Sequence, residues 1–174
     1  DYSYNYGNYY SSNYNNYYYS SNYDNYYSYS NQYSYENSYE SLEGTAVGVE
    51  ATNINLGNGN DSFSLEVNSS LPSIGLLDST LNLEGGSDKV IIKATLDEIN
   101  KGVVLDNSLL NAGSGSDDLF LYGDILNSQI YLGSGDDSIS IEGGGNAIVW
   151  GEIGNDTIQG GSGEDVINGG TGDD

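Results

Sequence analysis

"LGSGDDSISI", residues 132–141, places two glycines and an aspartate between short segments in which apolar and polar residues alternate. The same order returns in "LGNGNDSFSL" at residues 56–65. Because alternate residues of a strand face opposite sides of a sheet, the leucine, isoleucine and phenylalanine positions form one face and the serines the other. The repeated phrase therefore predicts two short strands joined by a glycine-rich turn.

This turn recurs along most of the chain. Its aspartate marks the copies at Asp61, Asp88, Asp117, Asp137, Asp156, Asp165 and Asp174. The middle copies lie about 20 residues apart, the first two intervals are longer, and the last two are nine residues each. We assign the additional residues of the long intervals to insertions at about 67–73 and 94–102. Self-similarity at a fixed period is typical of solenoids, in which stacked units build one continuous core.

The predicted fold is all-β, a right-handed parallel β-solenoid. Its inward row consists of the apolar residues on both sides of the turns: Ile54, Leu56, Phe63, Leu65, Leu81, Leu83, Val90, Ile92, Leu119, Leu121, Ile130, Leu132, Ile139 and Ile141. A helical fold is disfavoured because β-branched residues alternate with period two and glycine is frequent. A two-sheet sandwich also accommodates short strands with regular turns. Identical turn chemistry at a constant period favours the solenoid.

Composition divides the chain into two regions. Residues 1–40 contain 16 Tyr, nine Asn and nine Ser, with no Leu, Ile, Val or Ala. We therefore predict a low-complexity arm over 1–41 and a solenoid over 42–174 that continues beyond residue 174, since "GGTGDD" stops within a repeat. Tyr/Asn/Ser tracts resemble prion-like sequences, which assemble through β-structure. A polar arm buries too little apolar area to offset its chain entropy. We expect it to contact a neighbouring subunit, or to add a strand to a solenoid edge.

Charge and missing residue types exclude several functions. The net charge is −23, with three Lys, no Arg, no His and no Cys. Nucleic-acid affinity comes mainly from cationic side chains, so no nucleic-acid partner is expected. No apolar run is long enough to span a bilayer, so we expect no membrane insertion. His and Cys are absent, Lys is scarce and Ser is spread through the turns, so no set of nucleophile and base can be selected. Paired carboxylates could cleave glycosides, but the acid pairs here lie in turns that calcium would occupy. We therefore predict no enzymatic activity and no small-molecule substrate.

The turn itself indicates a metal. Glycines let the backbone approach closely and aim several carbonyl oxygens at one point, and the aspartate adds a carboxylate. Such an oxygen cluster suits Ca²⁺, whereas zinc or copper prefers His or Cys. Ordinary turn formation explains one such sequence equally well. It does not explain six or seven in register.

"GGSGEDVIN" at 160–168 matches the nonapeptide G-G-x-G-x-D-x-U-x of RTX proteins at every specified position. "GEIGNDTIQ" at 151–159 departs from it through Glu152, and "LGSGDDSIS", "LGNGNDSFS" and "AGSGSDDLF" lack the first glycine. "EGGSDKVII", which holds Asp88, departs most. The chain thus resembles RTX calcium-binding β-solenoids over about residues 50–174.

The resemblance implies rows of Ca²⁺ between stacked turns. The aspartates that match the family's ligand position are Asp61, Asp88, Asp117, Asp137, Asp156, Asp165 and Asp174, and the matching glycines are Gly57, Gly59, Gly113, Gly115, Gly133, Gly135, Gly154, Gly161, Gly163, Gly170 and Gly172. Because nine-residue spacing begins only at residue 151, we expect one calcium row along most of the domain. A second row begins near its C-terminal end.

Three functions fit these expectations. The preferred one is a secreted structural subunit of a surface filament, sheath or matrix, a homopolymer joined by solenoid stacking and the Tyr-rich arm. Its calcium repeats are similar to those of RTX-like surface fibril proteins of gliding cyanobacteria, such as oscillin. The alternatives are an adhesion module of a larger RTX adhesin and a calcium-folding secretion domain of an exported enzyme or toxin. The resemblance implies export from a Gram-negative cell by a type I system.

Overall fold

The structure is a computed structural model and describes residues 32–37, 45–96 and 100–174. Within these ranges all regular structure is β-strand. In chain order the strands are β1 Gln32–Asn37, β2 Ala46–Glu50, β3 Asn53–Asn55, β4 Ser62–Asn68, β5 Ser73–Leu77, β6 Thr80–Asn82, β7 Lys89–Thr95, β8 Val103–Asp106, β9 Leu109–Asn111, β10 Asp118–Tyr122, β11 Asp124–Leu126, β12 Gln129–Ser134, β13 Ser138–Ile141, β14 Ile148–Ile153, β15 Thr157–Gln159 and β16 Val166–Asn168. The described residues contain no helix that could cross a membrane.

The strands form three sheets in which every pairing between named strands is parallel. Sheet A has the order β1-β4-β7-β10-β13-β15, sheet B β11-β8-β5-β2, and sheet C β16-β14-β12-β9-β6-β3. The chain passes through B, C and A in turn, so β2-β3-β4 make the first coil and β5-β6-β7 the second. The predicted all-β parallel solenoid is confirmed.

The core lies between the three sheets. Alternation along each strand directs one residue in two inward, so that Phe63 and Leu65 of β4 lie beside Val90 and Ile92 of β7. The predicted inward row is buried throughout, with Ile54 partly buried against it. Sheet B adds inward residues that the two-strand interpretation of the repeat did not include: Leu76, Val104, Leu105 and Ile125.

The cross-section changes along the solenoid. Equivalent turns are 27 and 29 residues apart in the first coils and 20, 19 and 18 residues apart in the later ones. Residues 67–73 comprise the end of β4, a corner and the first residue of β5, and residues 94–102 begin in β7 and contain a tight Thr95–Lys101 bridge. Sheet B ends at β11, after which only an isolated Ile125–Gly145 bridge continues it. A three-sided solenoid thus becomes a flatter two-sided one.

Part of the Tyr-rich arm belongs to the solenoid. Strand β1 pairs in parallel with β4 at the edge of sheet A, in the register Gln32–Ser62 to Asn37–Val67. The expectation that the arm adds a strand to an edge therefore holds for residues 32–37. The rest of the predicted arm, residues 1–31 and 38–41, lies outside the described residues.

Alanine substitutions at two glycines of the turns can test how closely the coils stack. A Cβ on Gly86, whose φ is +134°, would lie 1.6 Å from the carbonyl oxygen of Gly59 in the preceding coil. A Cβ on Gly57, whose φ is +89°, would meet nothing within 4 Å. We predict that Gly86→Ala lowers the free energy of unfolding by about 3 kcal/mol or more, and Gly57→Ala by only about 1–2 kcal/mol, the cost of positive φ alone. Denaturant unfolding of both variants at one calcium concentration measures the difference, and equal losses would contradict the stacked register.

Candidate metal centre

The turns between sheets C and A share one backbone conformation. The residue two positions before the aspartate is glycine in all six turns and has φ between 120° and 148°: Gly59, Gly86, Gly115, Gly135, Gly154 and Gly172. From Gly86 onward, a Cβ on each would lie 1.6–1.9 Å from the carbonyl oxygen of the same glycine in the preceding coil. This row of backbone contacts can be built only from glycine, because any side chain would overlap a carbonyl.

The residue four positions before the aspartate also has positive φ in every turn. It is Gly57, Gly113, Gly133 or Gly170 in four turns, and glutamate in the other two. Glu84 and Glu152 both have φ of 73°, so the sequence around Asp88 is the same turn as the one around Asp156. Around Asp88 the chain thus departs from the nonapeptide at two positions, Leu83 in place of the first glycine and Glu84 in place of the second. The structure places Asp88 in line with the other aspartates.

Six aspartates form a continuous row, which we call the carboxylate ladder. Its members are Asp61, Asp88, Asp117, Asp137, Asp156 and Asp174. The backbone N–H of each of the first five donates to Oδ1 of the aspartate in the next coil, over 2.7–3.0 Å. The stacking of coils therefore brings residues that are 18–29 positions apart into one hydrogen-bonded chain.

In four members of the ladder the second carboxylate oxygen accepts no hydrogen bond. Oδ2 of Asp88, Asp117, Asp137 and Asp156 is buried and accepts no hydrogen bond. A buried carboxylate oxygen without a partner loses its hydration and gains no compensating hydrogen bond, which costs several kcal/mol in protein interiors. The ladder therefore contains a row of oxygen atoms that a cation would satisfy.

Burial changes the acidity of the ladder in the metal-free protein. Desolvation is the main cause that raises the pKa of Asp117 to about 7; the Asp88 N–H bond opposes this rise, and the neighbouring carboxylates of Asp137 and Asp88 contribute to it. Desolvation also raises the pKa of Asp137 to about 6, assisted by Asp156 and Asp136. The pKa of Asp88 is raised for the same reasons, desolvation first. Without a cation, the ladder opposes its own ionisation.

The residue five positions before the aspartate separates the N-terminal turns from the C-terminal ones. In the early turns it is a buried apolar residue such as Leu83, Ala112 or Leu132. In the late turns it is glycine, and a Cβ on Gly151 or Gly169 would lie 2.4 Å from Oδ2 of the aspartate in the same turn. The early carboxylates are therefore enclosed by side chains, whereas the late ones lie directly against the backbone.

The opposite edge, between sheets B and C, carries a different row. There Ser79 N–H donates to Ser108 Oγ, and Ser108 N–H to Ser128 Oγ, over 3.1 and 3.0 Å. Each of the three hydroxyls in turn donates to the carbonyl two residues before it. Two coils later the same position is taken by Asp165, whose Oδ1 accepts the Ala147 N–H over 3.0 Å. We call Ser79, Ser108 and Ser128 the serine ladder; on this edge serine takes the ladder position that aspartate holds on the other edge.

The C-terminal part of the chain matches a protein-family model. Residues 142–174 match the RTX calcium-binding nonapeptide repeat in four copies. This part of the chain is an RTX repeat array. RTX nonapeptide repeats bind Ca²⁺, and RTX repeats generally have structural and calcium-binding roles rather than catalytic ones. Neither the search of curated proteins nor that of solved structures finds a significant match.

The residues present fit Ca²⁺. Within 45–96 and 100–174, no three acidic, His or Cys side chains converge on one point. A cation at the ladder would therefore take one or two carboxylates and complete its shell with backbone carbonyls of the glycine-rich turns, as a hard ion that takes 6–8 oxygens can. The hydrogen-bond register places Asp156 and Asp174 in the row of the carboxylate ladder and Asp165 in the row on the opposite edge. The individual calcium ligands remain predictions.

The sequence interpretation missed two features. The first RTX copy, "EGGGNAIVW" at 142–150, has Ala147 where the repeat has aspartate, so the search for aspartates passed over it. The sequence feature that could have identified this copy is its start nine residues before the copy at 151–159. The serine ladder was also missed. Its signal was a residue that tolerates positive φ immediately before the serine, as in Asp78-Ser79, Asn107-Ser108 and Asn127-Ser128.

Asp117→Asn tests whether the ladder binds calcium. Asn retains an oxygen that accepts the Asp88 N–H but carries no charge. At neutral pH we predict that this variant is more stable than the parent in chelator, by about 1–3 kcal/mol. In calcium it should lose about 2 kcal/mol or more of the stabilisation that the ion gives. Unfolding free energies at several calcium concentrations measure both changes.

Ser108→Ala is the matched control. It removes bonds of the serine ladder, so we expect a loss of about 1–3 kcal/mol that is the same with and without calcium. If Asp117→Asn left the calcium dependence of stability unchanged, the ladder would not be the binding row.

The raised pKa values predict a pH dependence in chelator. The unfolded aspartates titrate near their ordinary pKa, and Asp117 and Asp137 titrate near 7 and 6 in the folded chain. Their contribution to stability is complete below the ordinary pKa and is lost as pH rises through 6 and 7. Far-UV circular dichroism should therefore show more β-structure at pH 5 than at pH 7.5 without calcium, and little difference with it. A calcium-free signal that did not fall over this range would contradict the assignment.

Proposed function

We propose that this chain is a calcium-folded structural protein that self-assembles at the cell exterior into a filament, sheath or matrix. The observation that carries the proposal is the carboxylate ladder, in which Oδ2 of the four central aspartates is buried without a hydrogen-bond partner. A fold built on such a row is stable where calcium is abundant and unstable where it is scarce. RTX-repeat proteins are typically exported by type I secretion to the extracellular space, where calcium is abundant.

The magnitude of the repulsion supports calcium-dependent folding. Adjacent strands are about 4.8 Å apart, so two ionised carboxylates in neighbouring coils repel by roughly 3 kcal/mol at an effective dielectric constant of about 20. Several such pairs equal the whole stability of a typical domain, about 5–15 kcal/mol. In the proposed function calcium binding therefore supplies the free energy of folding.

Assembly is supported by the N-terminal region and the surface of the solenoid. The arm is rich in Tyr and Asn, which form stacked and hydrogen-bonded ladders between β-chains. Its residues 32–37 already extend sheet A as an added strand. We propose that the arm and end-to-end stacking of solenoids join the subunits of a homopolymer. The proposed function involves no catalytic step.

One observation favours a second function. The recognisable RTX copies are confined to residues 142–174, where the coils shorten to two nonapeptides each. A calcium-folding end of this kind would also suit an adhesion module of a larger RTX adhesin, or the secretion domain of an exported enzyme or toxin. In those functions the protein folds with calcium but stays dispersed.

The deciding experiment combines circular dichroism with negative-stain electron microscopy of the full chain, in millimolar calcium and in excess chelator. We expect β-structure and filaments with calcium, and neither in chelator. Equal β content in both conditions would overturn calcium-dependent folding. Calcium-dependent β-structure in dispersed monomers would reject self-assembly and favour the adhesion or secretion module. Magnesium at the same concentration is the control for ionic strength.

A further inference from the structure

All the cationic side chains of the chain lie in one small region. The sequence has 26 acidic residues and only three lysines. Lys89 and Lys93 are on β7 in sheet A, and Lys89 Nζ lies 3.9 Å from Asp118 of the adjacent β10. Lys101 Nζ lies 4.5 Å from the centroid of the Tyr122 ring, and Tyr122 is the register partner of Lys93. The three lysines thus lie in sheet A or against it.

Apolar side chains lie among these lysines. Ile91 and Phe120 are register partners on β7 and β10, in positions that alternate with the buried Val90 and Leu119. They therefore point outward, and both are partly exposed. On either side of them the outward residues are serines, Ser64 on β4 and Ser140 on β13. We call the six residues Lys89, Ile91, Lys93, Lys101, Phe120 and Tyr122 the lysine face.

We propose that the lysine face binds residues 1–31 of a second copy of this chain. This inference rests on the proposed self-assembly, in which the arm joins two subunits, and it names the surface that receives the arm. Residues 1–31 contain 13 Tyr, two Asp and no cationic residue. Tyrosine rings attract ammonium groups and also cover apolar side chains, and the two carboxylates add to the attraction.

Charge directs the arm to this face. The net charge of −23 makes the rest of the described surface acidic, so Asp1 and Asp24 of the arm are repelled there. Tyr122 with Lys101 over its ring shows that an ammonium–tyrosine contact forms at this position. The lysine face therefore combines the two features that a tyrosine-rich, weakly acidic segment needs.

The chain path allows the contact between two copies. Strand β1 brings the arm to sheet A, the same sheet that carries the lysine face. From residue 32 a 31-residue segment reaches up to about 100 Å when extended. Two copies placed with their sheets A side by side can exchange arms reciprocally, as in a symmetric pair.

Zero-length carbodiimide cross-linking of the full chain in calcium tests the contact. Equal amounts of ¹⁴N and ¹⁵N protein are mixed before assembly, and cross-linked peptides are identified by mass spectrometry. We expect mixed-isotope links from Asp1 or Asp24 to Lys93 or Lys101. The Lys89–Asp118 pair gives a link within one chain and serves as the internal standard. Arm-to-lysine links found only within single chains would overturn binding between copies.

A charge-matched pair of variants tests how much the lysine face contributes to assembly. The lysine variant removes three positive charges through Lys89→Gln/Lys93→Gln/Lys101→Gln. The control variant adds three negative charges at exposed positions of sheet C through Asn111→Glu/Gln129→Glu/Asn168→Glu. Both variants change the net charge equally. Exposed cation–π contacts contribute roughly two- to fivefold each, so the critical concentration for assembly should rise about 10- to 100-fold in the lysine variant and much less in the control.

The outcomes separate this inference from the function on which it rests. If the parent protein assembles in calcium while the lysine variant assembles equally well, the lysine face is not the docking surface and the proposed function stands. If the parent protein folds in calcium without assembling, the proposed function fails and this inference fails with it. Circular dichroism of the lysine variant confirms that its solenoid is folded.

Discussion

Electrostatic repulsion within one row of carboxylates is the constraint on which the rest of the structure depends. Parallel stacking places chemically identical residues one strand spacing apart, and here the repeated residue is an aspartate that is buried in most coils. In the four central aspartates of the ladder the backbone satisfies only Oδ1. The core, the glycine turns and the three sheets all hold the aspartates in line, so the free energy of the fold depends on what neutralises them.

On both edges of the solenoid a backbone N–H needs an acceptor in the next coil, and the two edges provide it with different side chains. On both, a side-chain oxygen accepts the N–H of the equivalent residue in the preceding coil, as Asp117 does on one edge and Ser108 on the other. A hydroxyl also donates, so the serine ladder satisfies itself within the protein. A carboxylate only accepts, so its second oxygen needs an external partner. The choice of residue at one position per coil decides which edge requires an ion.

Much of the fold was predictable from the sequence, because alternation and the glycine-x-aspartate spacing are local signals. The inward residues around each turn and the parallel solenoid followed from them. Sheet B did not, because its residues Leu76 and Leu105 lie in stretches without the turn signature and the sequence gives no partner for them. The aspartates of the candidate site were identified by spacing. Their burial and unequal acidity depend on neighbours in other coils, such as Asp88 and Asp137 beside Asp117, that only stacking brings together.

The change of cross-section has a consequence for how the chain becomes ordered. In a stacked array each coil contacts only its neighbours, so order spreads along the axis from the coils that are stable by themselves. The early coils have a third apolar sheet and the serine ladder; the late coils, around Val166 and Ile167, have exposed strands and depend on their turns. Under the proposed calcium-dependent folding, the early coils order first once calcium neutralises their aspartates, and the boundary between ordered and unordered chain moves toward the C-terminus as calcium rises. In that function the solenoid responds to calcium by its ordered length.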